Sequence, residues 1–294
     1  MTNPSETMAA RIIRSILALA LGMVIPSVAY AQANDLSRQM NQPVQPFHII
    51  GNIYYVGASD ITSYLIVTPE GDILLDGGFV ETAPQIEKNI ATVGFKLTDV
   101  KFLLNSHAHL DHAGGINELR KLSGAKFLAM DGDVAALTAG TAFPATAPDQ
   151  VIHDGDTVKL GGVTMTVHLT PGHTKGCTTW TMTTTEAGKS YNVVFVGSAT
   201  VLPQYKLIDR PGSPATYPGI EADYEKTFRV LKSLPCDVFL GAHGSFWSMS
   251  DKRQVMSGNP AQNPFIDPWG YQAYIIHAEG VFQTELQKER AQAN

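Results

Sequence analysis

Apolar residues in this chain come in short runs broken by turn residues. Residues 49–56 and 63–68 read as strands, Pro69-Glu70-Gly71-Asp72 as a turn, and residues 73–75 as the returning partner of a hairpin. Ala83–Thr92 has helical spacing, with Ile86 and Ile90 four apart. Val100–Leu104 suits a strand covered on both faces. Residues 116–122 read as a helix that stops at Gly124, Lys126–Met130 as a strand and residues 131–137 as a short helix. After a Pro-rich loop at 143–148 the order repeats. Residues 158–160 and Val163–Leu169 form a hairpin across Gly161-Gly162, strands follow at 178–183 and 193–196, then a helix at 222–234 and a buried strand at 238–240. The chain is mostly helical from 264 to about 290, and residues 32–46 read as a polar, extended arm. Strands first and helices after, in each half, predicts two mixed sheets face to face with helices on both outer faces. No repeat is visible in the sequence, and one domain spanning 32–294 is expected.

The N-terminus breaks this pattern. Arg11 and Arg14 precede an apolar run from Ile16 to Val28, and Ala29-Tyr30-Ala31 follows. A positive end, a short apolar core and an A-x-A site describe a secretory signal peptide, residues 1–31. A membrane anchor is the alternative, but Gly22, Pro26 and Ser27 interrupt the run, which falls short of the ~20 apolar residues of a span. The mature chain is therefore expected to be free of the membrane, monomeric, and in the periplasm of a Gram-negative bacterium.

Composition narrows the function classes. Of 294 residues, 44% are hydrophobic and 16% charged, which excludes a disordered or collagen-like chain. Net charge is −6, so there is no basic excess for nucleic acid. Two cysteines cannot make a stapling framework.

The chemistry lies in the histidines. Five of the nine follow apolar strands: three in Asn105-Ser106-His107-Ala108-His109-Leu110-Asp111-His112, one in Pro171-Gly172-His173-Thr174 and one in Gly241-Ala242-His243-Gly244. Neutral imidazoles with a carboxylate suit zinc. Alternate residues of an extended stretch point the same way, so His107 and His109 can share one metal. A turn at Leu110 lets Asp111 and His112 face a second, and His173 and His243 are available to complete the sets. His48, His153, His168 and His277 read as ordinary polar residues.

These strings, with Leu75-Asp76-Gly77-Gly78 before them, resemble the metallo-β-lactamase superfamily from about Phe47 to the C-terminus, and within it the class B β-lactamases of subclass B3. The resemblance implies an αβ/βα sandwich with two zinc ions per chain. His107, His109 and His173 would hold the first, and Asp111, His112 and His243 the second. Glyoxalase-II-like and lactonase-like members usually carry a bridging aspartate after the strand at 193–196, and other β-lactamase subclasses carry a cysteine. Here the chain reads Gly197-Ser198-Ala199, the B3 pattern.

The activity so implied is hydrolysis of the β-lactam amide of penicillins, cephalosporins and carbapenems by a zinc-held hydroxide, conferring antibiotic resistance. Asp111 would also orient the nucleophile, Tyr205 would help polarise the carbonyl, and Ser198 and Thr200 would hydrogen-bond the substrate carboxylate. Asp76 is expected to support a ligand or nearby backbone, and Phe143 to form an apolar wall of the pocket. The alternative is a secreted zinc hydrolase of lactones or thioesters. B3 enzymes often pair a cysteine at the place of Cys236 with one in the last helix, where Tyr271 stands here. A Cys177–Cys236 bridge is one possibility and two free thiols the favoured one.

Overall fold

The computed structural model describes residue 35 and residues 37–292, so the signal peptide read at 1–31 lies outside the described residues. Contacts divide the chain between Gln42 and Pro43. Ahead of that point residues 37–40 are helical, where an extended arm was expected.

The first sheet takes its strands in chain order: β1 (Phe47–Ile50), β2 (Ile53–Tyr55), β3 (Tyr64–Thr68), β4 (Gly71–Leu75), β5 (Val100–Leu104), β6 (Lys126–Met130) and β7 (Gln150–Ile152). β1 to β4 pair antiparallel and β4 to β7 parallel. Parallel neighbours need crossovers, and helices supply them. α1 (Ala83–Thr92) joins β4 to β5. α2 (Leu110–Ala113) and α3 (Ile116–Ser123) join β5 to β6, and α4 (Val134–Ala139) lies between β6 and β7. The second sheet has the order β12-β11-β10-β9-β8, built from β8 (Thr157–Leu160), β9 (Val163–Leu169), β10 (Thr178–Glu186), β11 (Lys189–Val196) and β12 (Val238–Gly241). Its one parallel pair, β11 with β12, is bridged by α5 (Ile220–Ser233); α6 (Met249–Ser257) and α7 (Pro268–Ala291) follow.

Period-two alternation sets the layers, because successive strand side chains face opposite sides. Tyr64, Ile66, Ile73, Leu75 and Leu104 face the second sheet and pack with Met165, Val167, Trp180 and Phe195. Across this interface the Tyr64 and Phe195 rings are 5.1 Å apart. The intervening Leu65, Leu74, Leu103 and Phe127 face outward onto Ile86 and Ile90 of α1 and Ile116 and Leu119 of α3. On the far side of the second sheet Phe239 meets Tyr271 of α7 at 5.4 Å. Helices thus cover the outer face of the first sheet and the β11–β12 side of the second, while Thr164 and Thr183 of β9 and β10 stay exposed, and each large apolar side chain so buried contributes about 1.5–3 kcal/mol. This is the two-sheet sandwich with outer helices that the element order predicts.

The strand read at 49–56 is instead two strands around Gly51-Asn52, where Gly51 takes φ +55°. β7 and α6 were not foreseen. The helix expected at 131–137 is a single 3-10 turn at Asp131–Asp133 followed by α4. Helix α7 starts at Pro268, capped by Asp267 Oδ1, which accepts the Gly270 N–H at 2.8 Å. Among the described residues no helix is long and apolar enough to cross a membrane.

Candidate metal centre

Four strand ends carry the site. β5 runs into the extended segment 105–109, and α2 then turns Asp111 and His112 back toward it. β9 leads to His173, β11 to Ser198 and β12 to His243. Gly172 precedes His173 at φ +127°, with its α-carbon against the Tyr224 ring; a β-carbon there would lie 2.8 Å from that ring.

The ligand-type atoms gather into two groups, His107 with His109 and His173, and Asp111 with His112 and His243; within each group they lie within 4.8 Å of one another. The first three rings form a near-equilateral triangle, with centroids 4.7–4.8 Å apart. In the second group His112 Nε2 is 3.3 Å from both His243 Nε2 and Asp111 Oδ2. The His107 and His112 rings are 4.2 Å apart, so the two groups adjoin.

The Nδ1 atoms of His107, His173 and His243 are held from behind. His173 Nδ1–H donates to the Thr200 carbonyl at 2.7 Å, and His243 Nδ1–H to Asp60 Oδ2 at 3.0 Å. His107 Nδ1 meets Ser106 Oγ at 3.0 Å, and His112 Nδ1 faces Asp76 Oδ2 at 3.4 Å. His107 Nε2 is buried and has no hydrogen-bond partner. An orphaned imidazole nitrogen, aimed at two other imidazoles and fixed by an outer partner, fits a zinc ligand.

Protonation agrees with that fit. Burial pushes His109 down to about 4 and His173 to about 3, and holds His107 well below its ordinary value. All three are therefore neutral near pH 7, the form that binds metal. In the second group burial opposes the charge on His112, but Asp111 and Asp76 outweigh it and raise His112 to about 10. Burial likewise opposes the Asp111 carboxylate, and His112 and His243 overcome it, holding Asp111 far below the usual range. A dication at this group would replace the His112 proton.

Asp76 supports both a ligand and the backbone. It sits at φ +64°, a left-handed conformation that strains a residue with a β-carbon, and its Oδ1 accepts the Ser106 N–H at 2.7 Å. Ser198 is buried, its Oγ accepting the Thr200 N–H at 3.2 Å. The Thr200 side chain is exposed. Tyr205 donates its hydroxyl to the His173 carbonyl at 2.6 Å, and burial raises it to about 12.

Phe143 does not wall this site. It packs in the core between the first sheet and its helices. Cys177 and Cys236 are both free. His48 and His168 are hydrogen-bonded, to the Gly51 carbonyl and to Thr181 Oγ1, and His153 pairs with Asp156.

Two supporting carboxylates were missed from the sequence. Asp60 holds His243 and also accepts the Ser245 N–H at 2.6 Å. Asp133, almost wholly buried, ties the first group together. Its Oδ2 accepts the N–H of Ala108, between His107 and His109, at 2.7 Å, and the Thr174 hydroxyl at 2.9 Å. Its Oδ1 accepts the Gly176 N–H at 2.8 Å. Gly176 is required for that approach, since a β-carbon would lie 2.4 Å from Asp133 N. Neither carboxylate falls in a recognisable string; each acts on a segment distant in sequence.

The chain has relatives of known structure. The chain is 44% identical to the FEZ-1 metallo-beta-lactamase from Legionella gormanii, covering 85% of this chain and 98% of that one with a TM-score of 0.82. It is 39% identical to BJP-1, a subclass B3 metallo-beta-lactamase of Bradyrhizobium japonicum, over 87% and 98%, with a TM-score of 0.81. Among curated proteins it is 35% identical over 94 residues to the hydroxyacylglutathione hydrolase of Methylobacterium nodulans, 32% of each chain. The chain spans about half the length of one curated relative and about a third of others. Residues 56–243, the stretch from the end of the first strands to the last histidine of the centre, match the family as a whole, and on that match the chain belongs to the metallo-beta-lactamase superfamily.

Proposed function

We propose that this chain is a secreted, zinc-dependent β-lactamase of the B3 type. It acts in the periplasm as a monomer on penicillins, cephalosporins and carbapenems, and so confers antibiotic resistance. The observation that carries this reading is Ser198. The strand end that offers a bridging aspartate in thioesterase-like members, or a cysteine in other β-lactamases, offers here a hydroxyl that is buried and bonded to the Thr200 N–H. A neutral hydroxyl is a poor zinc ligand, so the second group keeps Asp111, His112 and His243 alone.

His107, His109 and His173 would hold one zinc ion and Asp111, His112 and His243 a second, which when bound would supply a water acidified toward neutrality and a Lewis acid for the amide carbonyl. The chain's own residues do the rest. Asp111, ionised at any working pH, accepts a hydrogen bond from the attacking water and aims it at the carbonyl carbon. Ser198 and Thr200 hold the carboxylate of the substrate beside the second group. Tyr205 reaches the substrate carbonyl only by releasing the His173 carbonyl, an exchange of hydrogen bonds that costs about 1 kcal/mol.

A second reading, hydrolysis of lactones or thioesters, is favoured by the similarity to a hydroxyacylglutathione hydrolase. Nitrocefin, a homoserine lactone and a glutathione thioester, assayed side by side on the zinc-loaded protein, separate the two. The β-lactamase reading expects nitrocefin to be turned over far faster than either ester; the reverse order rejects it.

A further inference from the structure

Beside the second group the fold opens a further recess. Thr200, Ser245 and Phe246, together with Tyr274, His277 and Ala278 of α7, enclose a cleft of about 320 Å³. Its floor is aromatic. The Phe246 and Tyr274 rings are 5.0 Å apart, and Tyr274 lies 5.2 Å from Phe239 beneath. The Tyr274 hydroxyl is engaged, accepting the Ala199 N–H at 3.1 Å, so Tyr274 offers the cleft its ring. Polar groups sit at the rim, where Thr200, Ser245 and His277 are exposed.

Two links join this cleft to the metal centre. The Phe246 ring is 5.1 Å from the ring of His243. Thr200, which lines the cleft, also accepts the His173 Nδ1–H at its carbonyl. The cleft therefore begins where the ligand groups end, on the side of Ser198.

We propose that this cleft is a substrate subsite. It receives the substituent on the ring carbon next to the carboxylate-bearing carbon and favours a flat heteroaromatic group over a methyl group. The proposal rests on the β-lactamase reading and on Ser198 and Thr200 taking the carboxylate. A substituent adjacent to that carboxylate leaves the metal centre on the same side, toward Thr200. Stacked aromatic rings suit a flat ring, and the Thr200 and Ser245 hydroxyls and the His277 imidazole match its nitrogens. The volume lies in the range of small-molecule sites.

The test uses two cephalosporins that differ only in this substituent, methyl in one and heteroarylthiomethyl in the other, with the zinc-loaded enzyme. Val281, exposed on α7 at the cleft wall, is changed to tryptophan to fill the space, and Ala278→Leu narrows it from a second side. The ratio of kcat/KM, heteroaryl over methyl, is expected to fall about tenfold or more in each variant, mainly through KM. Zinc content and melting temperature show that each variant has folded. If both cephalosporins are hydrolysed but the ratio stays within about twofold of the parent in either folded variant, the subsite is wrong while the β-lactamase reading stands. If the parent opens neither cephalosporin, that reading fails and the subsite with it.

Discussion

Asp133 touches no ligand atom, yet it spans the two segments that carry the first histidine group. Replacing it with asparagine keeps the shape and removes the charge. One amide oxygen can serve Ala108 and Thr174, as Oδ2 does now, but the amide NH2 then faces the Gly176 N–H, donor against donor. A hydrogen bond to a charged group contributes about 1.5–3 kcal/mol, and an unsatisfied buried donor costs about 1–3. Asp133→Asn should therefore destabilise the metal-free chain by about 2–3 kcal/mol. Asp133→Ala, which strands three donors, should cost about 3–5, less than the sum because the loops relax.

The effect on metal should be selective. Ala108 lies between His107 and His109 and Thr174 follows His173, so loosening the clamp separates the three rings. Loss of such an outer partner weakens metal binding about 10–100-fold. Urea unfolding gives the stability. Zinc competition with a chromophoric chelator gives the two affinities, and cobalt substitution identifies which group has lost its ion. The weaker site should be the three-histidine group. Asp133→Asn within about 0.5 kcal/mol of the parent, with both affinities within about twofold, would refute the clamp. So would a loss confined to the Asp111–His112–His243 group.

Other consequences are simpler to state. Ser198→Ala should keep both zinc ions and raise KM with little loss of kcat, because one hydrogen bond to a carboxylate contributes at most ~1.5–3 kcal/mol. His243→Ala should empty the second site first and lower kcat steeply; metal analysis and kinetics on the two variants check the contrast, and a stripped zinc in the serine variant would reassign the site. Clavulanate should leave the activity intact, and intact-mass spectra should show no acyl-enzyme. The metal-free chain should be most stable near pH 6.5. Burial lowers His109 to about 4 and His173 to about 3, so both are neutral in the fold while unfolded imidazoles titrate near 6.5, and their contribution is lost as pH falls from about 6.5 toward 3. His112 works in the opposite sense. Burial opposes its charge, but Asp111 raises it to about 10, and its contribution is lost as pH rises from about 6.5 to about 10. A urea midpoint that stays flat from pH 4 to 10 would contradict both assignments.

Residues whose environment is built from near neighbours were legible in the sequence. α1 and β6 begin and end where their apolar spacing says, because both are set by a continuous pattern. The six residues that gather into the two candidate groups stand out in the sequence because four fall in one hexapeptide and two lie shortly after apolar strands. What failed depended on contacts elsewhere in the chain. β7 is three residues long and exposes Val151, so it shows no buried stripe, and it exists because β6 offers a free edge. α6 is polar, with few buried residues to mark its period. Phe143 sits in a Pro-rich stretch that resembles a pocket loop, and its burial under the first sheet comes from residues far along the chain. Asp60 reaches His243 across 183 residues, and Asp133 reaches Gly176 across 43. No local spacing records such pairs.

Opening of a β-lactam ring with metal held at the two groups can be followed as turnover of a carbapenem by the mature protein, read by its ultraviolet absorbance before and after EDTA and again after zinc is restored. The expected result is hydrolysis that EDTA abolishes and zinc returns. Carbapenem turnover that survives complete removal of metal, or none at all from a chain carrying both zinc ions, would contradict it.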